Sequence, residues 1–179
     1  GSTAPEVILG SATYAHELIL EHADVDCIVV PVGGGAGVCG VAIVAKSIDP
    51  SIQVVGVQSQ QAPALQNAWH SGEPEVGHCS TYAEGIATRV PFPNTLKIMR
   101  RLLDDFLLVD DSEILAAQAL LWTYARQHVE AASAAALAAV IKEKGQFAGK
   151  KIALVMTGGN VSAAETILVA TYQSEVQGC

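Results

Sequence analysis

The stretch Cys27-Ile28-Val29-Val30-Pro31-Val32-Gly33-Gly34-Gly35-Ala36-Gly37-Val38 runs from an apolar, β-rich segment through a glycine loop into a helical pattern. A run that is apolar at nearly every position is what a strand covered on both faces of a parallel sheet requires. The same order recurs along the chain: Val54-Val55-Gly56-Val57, Phe106-Leu107-Leu108-Val109 and Ile152-Ala153-Leu154-Val155-Met156 are three further strands, with helical segments between them. This alternation means an α/β fold, a three-layer open sheet of mostly parallel strands with helices on both faces. Right-handed crossovers would bring the strand C-termini to one edge, where open α/β sheets bind ligands.

Working outward, a helix is expected over Thr13 to Glu21 and another from near Val38. Asp110-Asp111-Ser112-Glu113 has the layout of a capping box, followed by Ile114, Leu121, Trp122 and Ala125 on one stripe. The segment Ala132 to Ile141 is mostly alanine and apolar nearly all round, which suits a buried helix; Lys144-Gly145 supplies its basic last turn and terminal glycine. Val161 to Val169 reads as a last helix. The long irregular connection is Ser71 to Pro93, interrupted by Gly72, Pro74, Gly77, Gly85 and Pro91.

Composition excludes several classes. In 179 residues, 50% are apolar and 16% charged, a core-forming balance far from that of a disordered segment. Residues 3–179 are expected to form one α/β domain, with Gly1-Ser2 a cloning remnant. A net charge of -8 offers no basic stripe for a phosphate backbone, so nucleic acid is excluded as a partner. No apolar stretch reaches the twenty or so residues a bilayer needs, so no membrane association is expected. Cys27, Cys39, Cys79 and Cys179 form no C-x-x-C pair, and two fall in core elements, which points to reduced thiols in a cytoplasmic protein.

Four glycines in the five positions Gly33 to Gly37, between a strand and a helix N-terminus, let several backbone amides converge on an anion. The bland alternative is a tight turn that merely needs small residues. Gly35-Ala36-Gly37-Val38-Cys39-Gly40 also spells G-x-G-x-x-G, the mark of a Rossmann-type nucleotide-binding domain, but the next strand ends Gln58-Ser59-Gln60 without the acidic residue that would hold a ribose. A P-loop lysine is missing as well, since Val38 follows Gly37. A second glycine turn, Thr157-Gly158-Gly159-Asn160, follows the fourth strand and presents a hydroxyl at the same edge.

Five motifs, Ala4-Pro5-Glu6-Val7-Ile8, Val30-Pro31-Val32-Gly33-Gly34-Gly35, Tyr82-Ala83-Glu84-Gly85-Ile86-Ala87, Val129-Glu130 and Thr157-Gly158-Gly159-Asn160, stand in one order. In that order and spacing the chain resembles the later half of the fold-type II pyridoxal-phosphate enzymes, specifically the threonine/serine dehydratase and serine racemase group. The resemblance implies pyridoxal phosphate as cofactor and the large domain of that architecture as fold. It implies that Gly33, Gly34, Gly35, Ala36 and Gly37 hold the cofactor phosphate, that Gly85 and Glu130 line the pyridine ring, and that the Thr157 hydroxyl bonds the ring nitrogen. It implies β-elimination from threonine or serine to a keto acid and ammonia.

Departures from the family pattern are as informative. Ala36 replaces a glycine, which is tolerable where no positive φ is demanded. Gln58, Ala62 and Ala64 stand where some members carry cation-binding carboxylates, so no metal is expected. Ala131 and Ala132 replace a Pro-Gly pair after the glutamate. The Ser-x-Lys-x-Arg segment with the Schiff-base lysine, and the Ser-x-Gly-Asn loop for the substrate carboxylate, are absent; Lys46, Lys97, Lys142, Lys144, Lys150 and Lys151 lack that context. By resemblance, then, this is the phosphate-cradling C-terminal part of an amino-acid dehydratase, inactive alone, that meets its amino acid through the cofactor. Self-association or a complementary N-terminal half is expected. The alternatives are a non-catalytic partner or regulatory subunit of the same fold, and the Rossmann-type nucleotide binder.

Other chemistry has little support. The five histidines form no H-x-x-x-H pair, and no G-x-S-x-G elbow is present. Asp104-Asp105 and Asp110-Asp111 are explained by solvated ends and a helix cap, and Trp69 and Trp122 by packing.

Overall fold

The computed structural model describes residues 3–177; Gly1-Ser2 and Cys179 lie outside the described residues. Four parallel strands, β1 (Cys27–Pro31), β2 (Gln53–Ser59), β3 (Asp105–Val109) and β4 (Ile152–Leu154), form one sheet in the order β3-β2-β1-β4. Every residue of β1 is buried, as its unbroken apolar run requires of a central strand. Its residues alternate between two cores. Ile28 and Val30 pack with α1 (Pro5–Glu21), α2 (Ala36–Ile48), α3 (Ala64–Ser71) and α4 (Pro93–Leu102), whereas Cys27 and Val29 pack with α5 (Asp111–Leu120) and α6 (Ala131–Lys142). The chain is therefore the expected three-layer α/β fold. A π-helical turn over Leu121–Ala125 that continues α5, a single turn, α7 (Lys144–Phe147), and a last helix, α8 (Ala163–Gln177), complete it.

Several element boundaries differ from the sequence reading. Helix α1 begins at Pro5, two turns before Thr13, because proline is well suited to the first helical position, where its missing N–H costs nothing. Helix α2 opens at Ala36, because the left-handed residue that lets the chain turn into it is Gly35, at φ +93°. The stretch Ser71 to Pro93 is irregular between its ends apart from a 3₁₀ turn at Glu84–Ile86, and the helical segments expected between β2 and β3 are α3 and α4, which flank it. Lys144-Gly145 does not cap α6: that helix ends at Lys142, and the left-handed glycine is Gly149, after α7. Strand β4 stops at Leu154, short of Met156, and α8 starts at Ala163 and runs to Gln177, beyond the expected Val161 to Val169.

The capping box at the start of α5 is present in full. The Asp110 carboxylate accepts from the Ser112 amide at 2.9 Å, and the Glu113 carboxylate accepts from the Asp110 amide at 2.7 Å. The alanines of α6 let it lie close against the sheet, and all but Leu137, Val140, Ile141 and Lys142 of its residues are buried.

Candidate active site

Because all four strands are parallel, their C-termini share one edge, and three loops meet there: Val32–Gly35 after β1, Thr81–Ile86 with its 3₁₀ turn, and Thr157–Asn160 after β4. A cleft of about 300 Å³ opens between them, lined by Gly33, Gly34, Gly35, Ala36, Gly37, Gly85, Glu130 and Thr157 together with Pro31, Val38 and Ile86. All eight residues singled out in the sequence border this one space. A second cleft of about 700 Å³ shares Gly85 and Glu130 with it and continues past Thr81, Tyr82, Asn160 and Glu165.

The glycine loop has an asymmetric hydrogen-bond pattern. Its carbonyls are tied to the protein: Gly34 O accepts from the Thr95 hydroxyl at 2.9 Å, Gly35 O from the Cys39 amide at 3.0 Å, Ala36 O from the Ser11 hydroxyl at 3.1 Å, and Gly37 O from the Tyr14 phenol at 3.5 Å. None of the amides from Gly33 to Val38 donates to another described residue. Amides left free beside a helix N-terminus, with the carbonyls turned away, are the arrangement that receives an anion. Burial pushes the Tyr14 phenol up to about 12, so it remains a donor at neutral pH.

Close backbone approach explains the small residues. A side chain at Gly33 would run into the carbonyl oxygen of Gly85, and one at Gly85 would lie 2.8 Å from the Ala132 methyl. Gly35 needs its left-handed backbone, and a methyl there would also sit 2.9 Å from the Thr95 side chain. Ala36 has no such demand, since it lies inside the first turn of α2 with negative φ.

Glu130 precedes α6 and its amide donates to Gly158 O at 3.2 Å, but its carboxylate does not cap the helix. That task falls to Glu165 of α8, which accepts from the Ala131 amide and from the Gln118 side chain, each at 2.6 Å. The Thr157 turn is gripped by Ser133, a buried residue of α6 whose hydroxyl accepts from the Gly158 amide at 2.9 Å and lies 3.3 Å from the Thr157 hydroxyl. The Thr81 loop is anchored by Asp111, which accepts from the Ser59 and Thr81 hydroxyls and the Tyr82 amide. Gln58, at the end of β2, is fully buried with its Oε1 accepting from the Gln66 amide. No lysine lines either cleft.

Ser11, Tyr14, Thr95, Ser133, Glu165 and Asp111 thus shape the site without having been foreseen in that role. Each is distant in sequence from the residue it holds, so no spacing rule could single it out.

The model of the pyridoxal-phosphate dependent enzymes matches residues 1–158. The chain belongs to that family. Its free amides and closely packed glycines fit the phosphate that the family's cofactor carries. The L-threonine ammonia-lyase of Thermotoga maritima is 36% identical over 158 residues, 88% of this chain and 39% of the relative. The catabolic L-threonine dehydratase of Escherichia coli is 35% identical over 171 residues, 94% of this chain and 52% of the relative. Among solved structures, the processed threonine deaminase isoform 2 of Solanum lycopersicum superposes with a TM-score of 0.88 at 27% identity, covering 94% of this chain and 50% of that one. The serine racemase of Dictyostelium discoideum gives 0.83 at 32% identity, covering 89% and 52%. The chain spans about half the length, or less, of each of these.

Proposed function

We propose that this chain is the phosphate-cradling part of a pyridoxal-phosphate-dependent amino-acid dehydratase. In this reading Gly33, Gly34, Gly35, Ala36 and Gly37 hold the cofactor phosphate, Gly85 and Glu130 border its ring, and the Thr157 hydroxyl faces the ring nitrogen. The observation that carries it is the glycine loop with its carbonyls tethered and its amides free. Bound pyridoxal phosphate supplies an electron sink for loss of the α-proton and then of a β-hydroxyl, the chemistry that turns threonine or serine into a keto acid and ammonia. Thr157 is a neutral hydroxyl, so it can hydrogen-bond a ring nitrogen without keeping it protonated. Ser133 orients that hydroxyl through the Gly158 turn.

By itself the chain is expected not to turn over an amino acid, because no lysine borders either cleft. A Rossmann-type nucleotide binder is disfavoured: Ser59 at the end of β2 faces Asp111, whose oxygens already accept from Ser59, Thr81 and Tyr82. The β4 edge favours a second polypeptide in the working protein, whether a complementary half or another copy. Its residues are only half-buried although parallel strands are ordinarily covered on both faces, and Tyr14, Leu18 and Ala153–Met156 line an apolar groove of about 550 Å³ beside it.

Equilibrium dialysis against pyridoxal phosphate and NAD, followed by borohydride reduction, tests the reading. The expected result is binding of pyridoxal phosphate in preference to NAD, with no stoichiometric lysine adduct. Tight NAD binding without pyridoxal phosphate binding would sink it, and a stable adduct at one lysine would overturn the expected inactivity.

A further inference from the structure

Thr95 lies on α4, far in sequence from the glycine loop, yet it is fully buried and touches the loop at two consecutive residues. Its hydroxyl donates to Gly34 O at 2.9 Å, with Phe92 O, the residue just before its own helix, at 3.2 Å as the competing acceptor. Its side chain is also the group that a methyl on Gly35 would strike. The carbonyl of Thr95 in turn lies 3.4 Å from the Cys39 sulfur of α2, so the first turn of α4 is clamped to the helix that the loop opens. The Gly34 carbonyl and the Gly35 N–H belong to one planar trans peptide and point in opposite directions. Tying the carbonyl toward α4 therefore turns the Gly35 amide away from α4, and Gly35 borders the cleft.

We propose that Thr95 is a positioning residue that presents the Gly35 amide, and with it the loop, to the cofactor phosphate. The assignment rests on the cofactor reading above and deepens it: Thr95 contacts no ligand and acts through the Gly34–Gly35 peptide. Without the hydroxyl, the Gly34 carbonyl has no donor among the described residues to hold it, and that peptide is free to rotate, with its oxygen able to face an incoming anion. The loss would fall on phosphate recognition and spare contacts to the pyridine ring.

The test compares pyridoxal phosphate with pyridoxal, which lacks the phosphate, by equilibrium dialysis on the whole chain carrying Thr95→Val, Thr95→Ala or Thr95→Ser. Thr95→Val is expected to lose about tenfold in affinity for pyridoxal phosphate, the worth of one hydrogen bond to an anion-binding loop, while affinity for pyridoxal stays within about twofold. Thr95→Ala, which removes the hydroxyl without adding bulk, is expected to behave the same way, and Thr95→Ser to restore wild-type discrimination. Circular dichroism distinguishes a local effect from unfolding. Folded Thr95→Val and Thr95→Ala chains that keep the wild-type preference, or that lose both ligands equally, overturn the assignment while leaving the cofactor reading standing. A wild-type chain that does not distinguish the two ligands overturns the cofactor reading and this assignment with it.

Discussion

A methyl group on Gly33 has nowhere to go, because the Gly85 carbonyl oxygen occupies the space, and that oxygen belongs to the loop that closes the cleft. Gly33→Ala must push the two loops apart. The expected outcome is a loss of at least about tenfold in pyridoxal phosphate affinity by dialysis with the far-ultraviolet spectrum unchanged, given that misplacing one charge-assisted hydrogen bond costs about 1.5–3 kcal/mol. Gly34 is the contrasting position: a methyl there would meet only ordinary contacts with the Phe92 and Thr3 side chains, so Gly34→Ala is the milder change. Thiol chemistry offers a second residue-level check. Burial pushes the Cys27 thiol up to about 11 and the Cys39 thiol up to about 12, and the thiolate is the reactive form. A thiol reagent applied to the folded chain at pH 8 should modify Cys79, which is half-buried, and spare Cys27 and Cys39; peptide mapping that finds either core thiol labelled would count against this core packing.

Among the elements, α5 has the clearest local instructions, and its cap carries a pH signature. The Ser112 hydroxyl, then the Gln61 side chain and the Ser112 amide, hold the Asp110 carboxyl down to about 2. An unfolded aspartate titrates near 3.9, so the carboxylate form is favoured in the fold. The stabilisation is complete above pH about 4 and disappears as the pH falls through about 2. Thermal melts should therefore show wild type ahead of Asp110→Ala by about 1 kcal/mol at pH 7, a few degrees in Tm for a chain of this size, with the gap closing between pH 4 and pH 2. A gap that is independent of pH would contradict the assignment of the cap to the ionised carboxylate. Helix α6 poses a different question, since its first amide is capped by Glu165 from α8 and not by Glu130 beside it. Glu165→Gln keeps an acceptor and should be the milder change, whereas Glu165→Ala leaves the Ala131 amide and the Gln118 side chain short of a partner and should destabilise by about 1–3 kcal/mol in urea unfolding.

For the whole molecule, the β4 edge is the feature on which the proposed second polypeptide rests. Ile152, Ala153 and Leu154 pair with β1 on one side and have no strand on the other among the described residues, and Met156 beyond them is exposed. Sedimentation at micromolar concentration is expected to show species heavier than the 18.6 kDa chain, and Met156→Lys with Leu154→Lys is expected to shift the distribution toward monomer. A wild-type chain that remains strictly monomeric would argue against a second polypeptide on this edge.

The α/β class, the four strands and the glycine loop could be read in advance because each is encoded by neighbours in sequence. A short, β-branched apolar run such as Cys27–Pro31, ended by a glycine loop, fits a central strand covered on both faces, and the glycines before α2 supply the turn that leads into it. The capping box was equally local. The sequence places helical segments between β2 and β3 but not their bounds, because prolines and glycines of the adjoining loop blur the periodicity of α3 and α4, and it overextends β4 because Val155 and Met156 continue the apolar run past the last paired residue. What only the tertiary structure decided is which residues hold the loop. Thr95 reaches Gly34 across 61 positions, Ser133 reaches Gly158 across 25, and Glu165 reaches Ala131 across 34. Hydrogen bonds at that separation depend on where the helices pack against the sheet, and helix packing is set by the summed burial of many side chains. The sequence by itself determined that amides would converge at a strand end; the packing of α1, α4 and α6 decided which way each peptide faces.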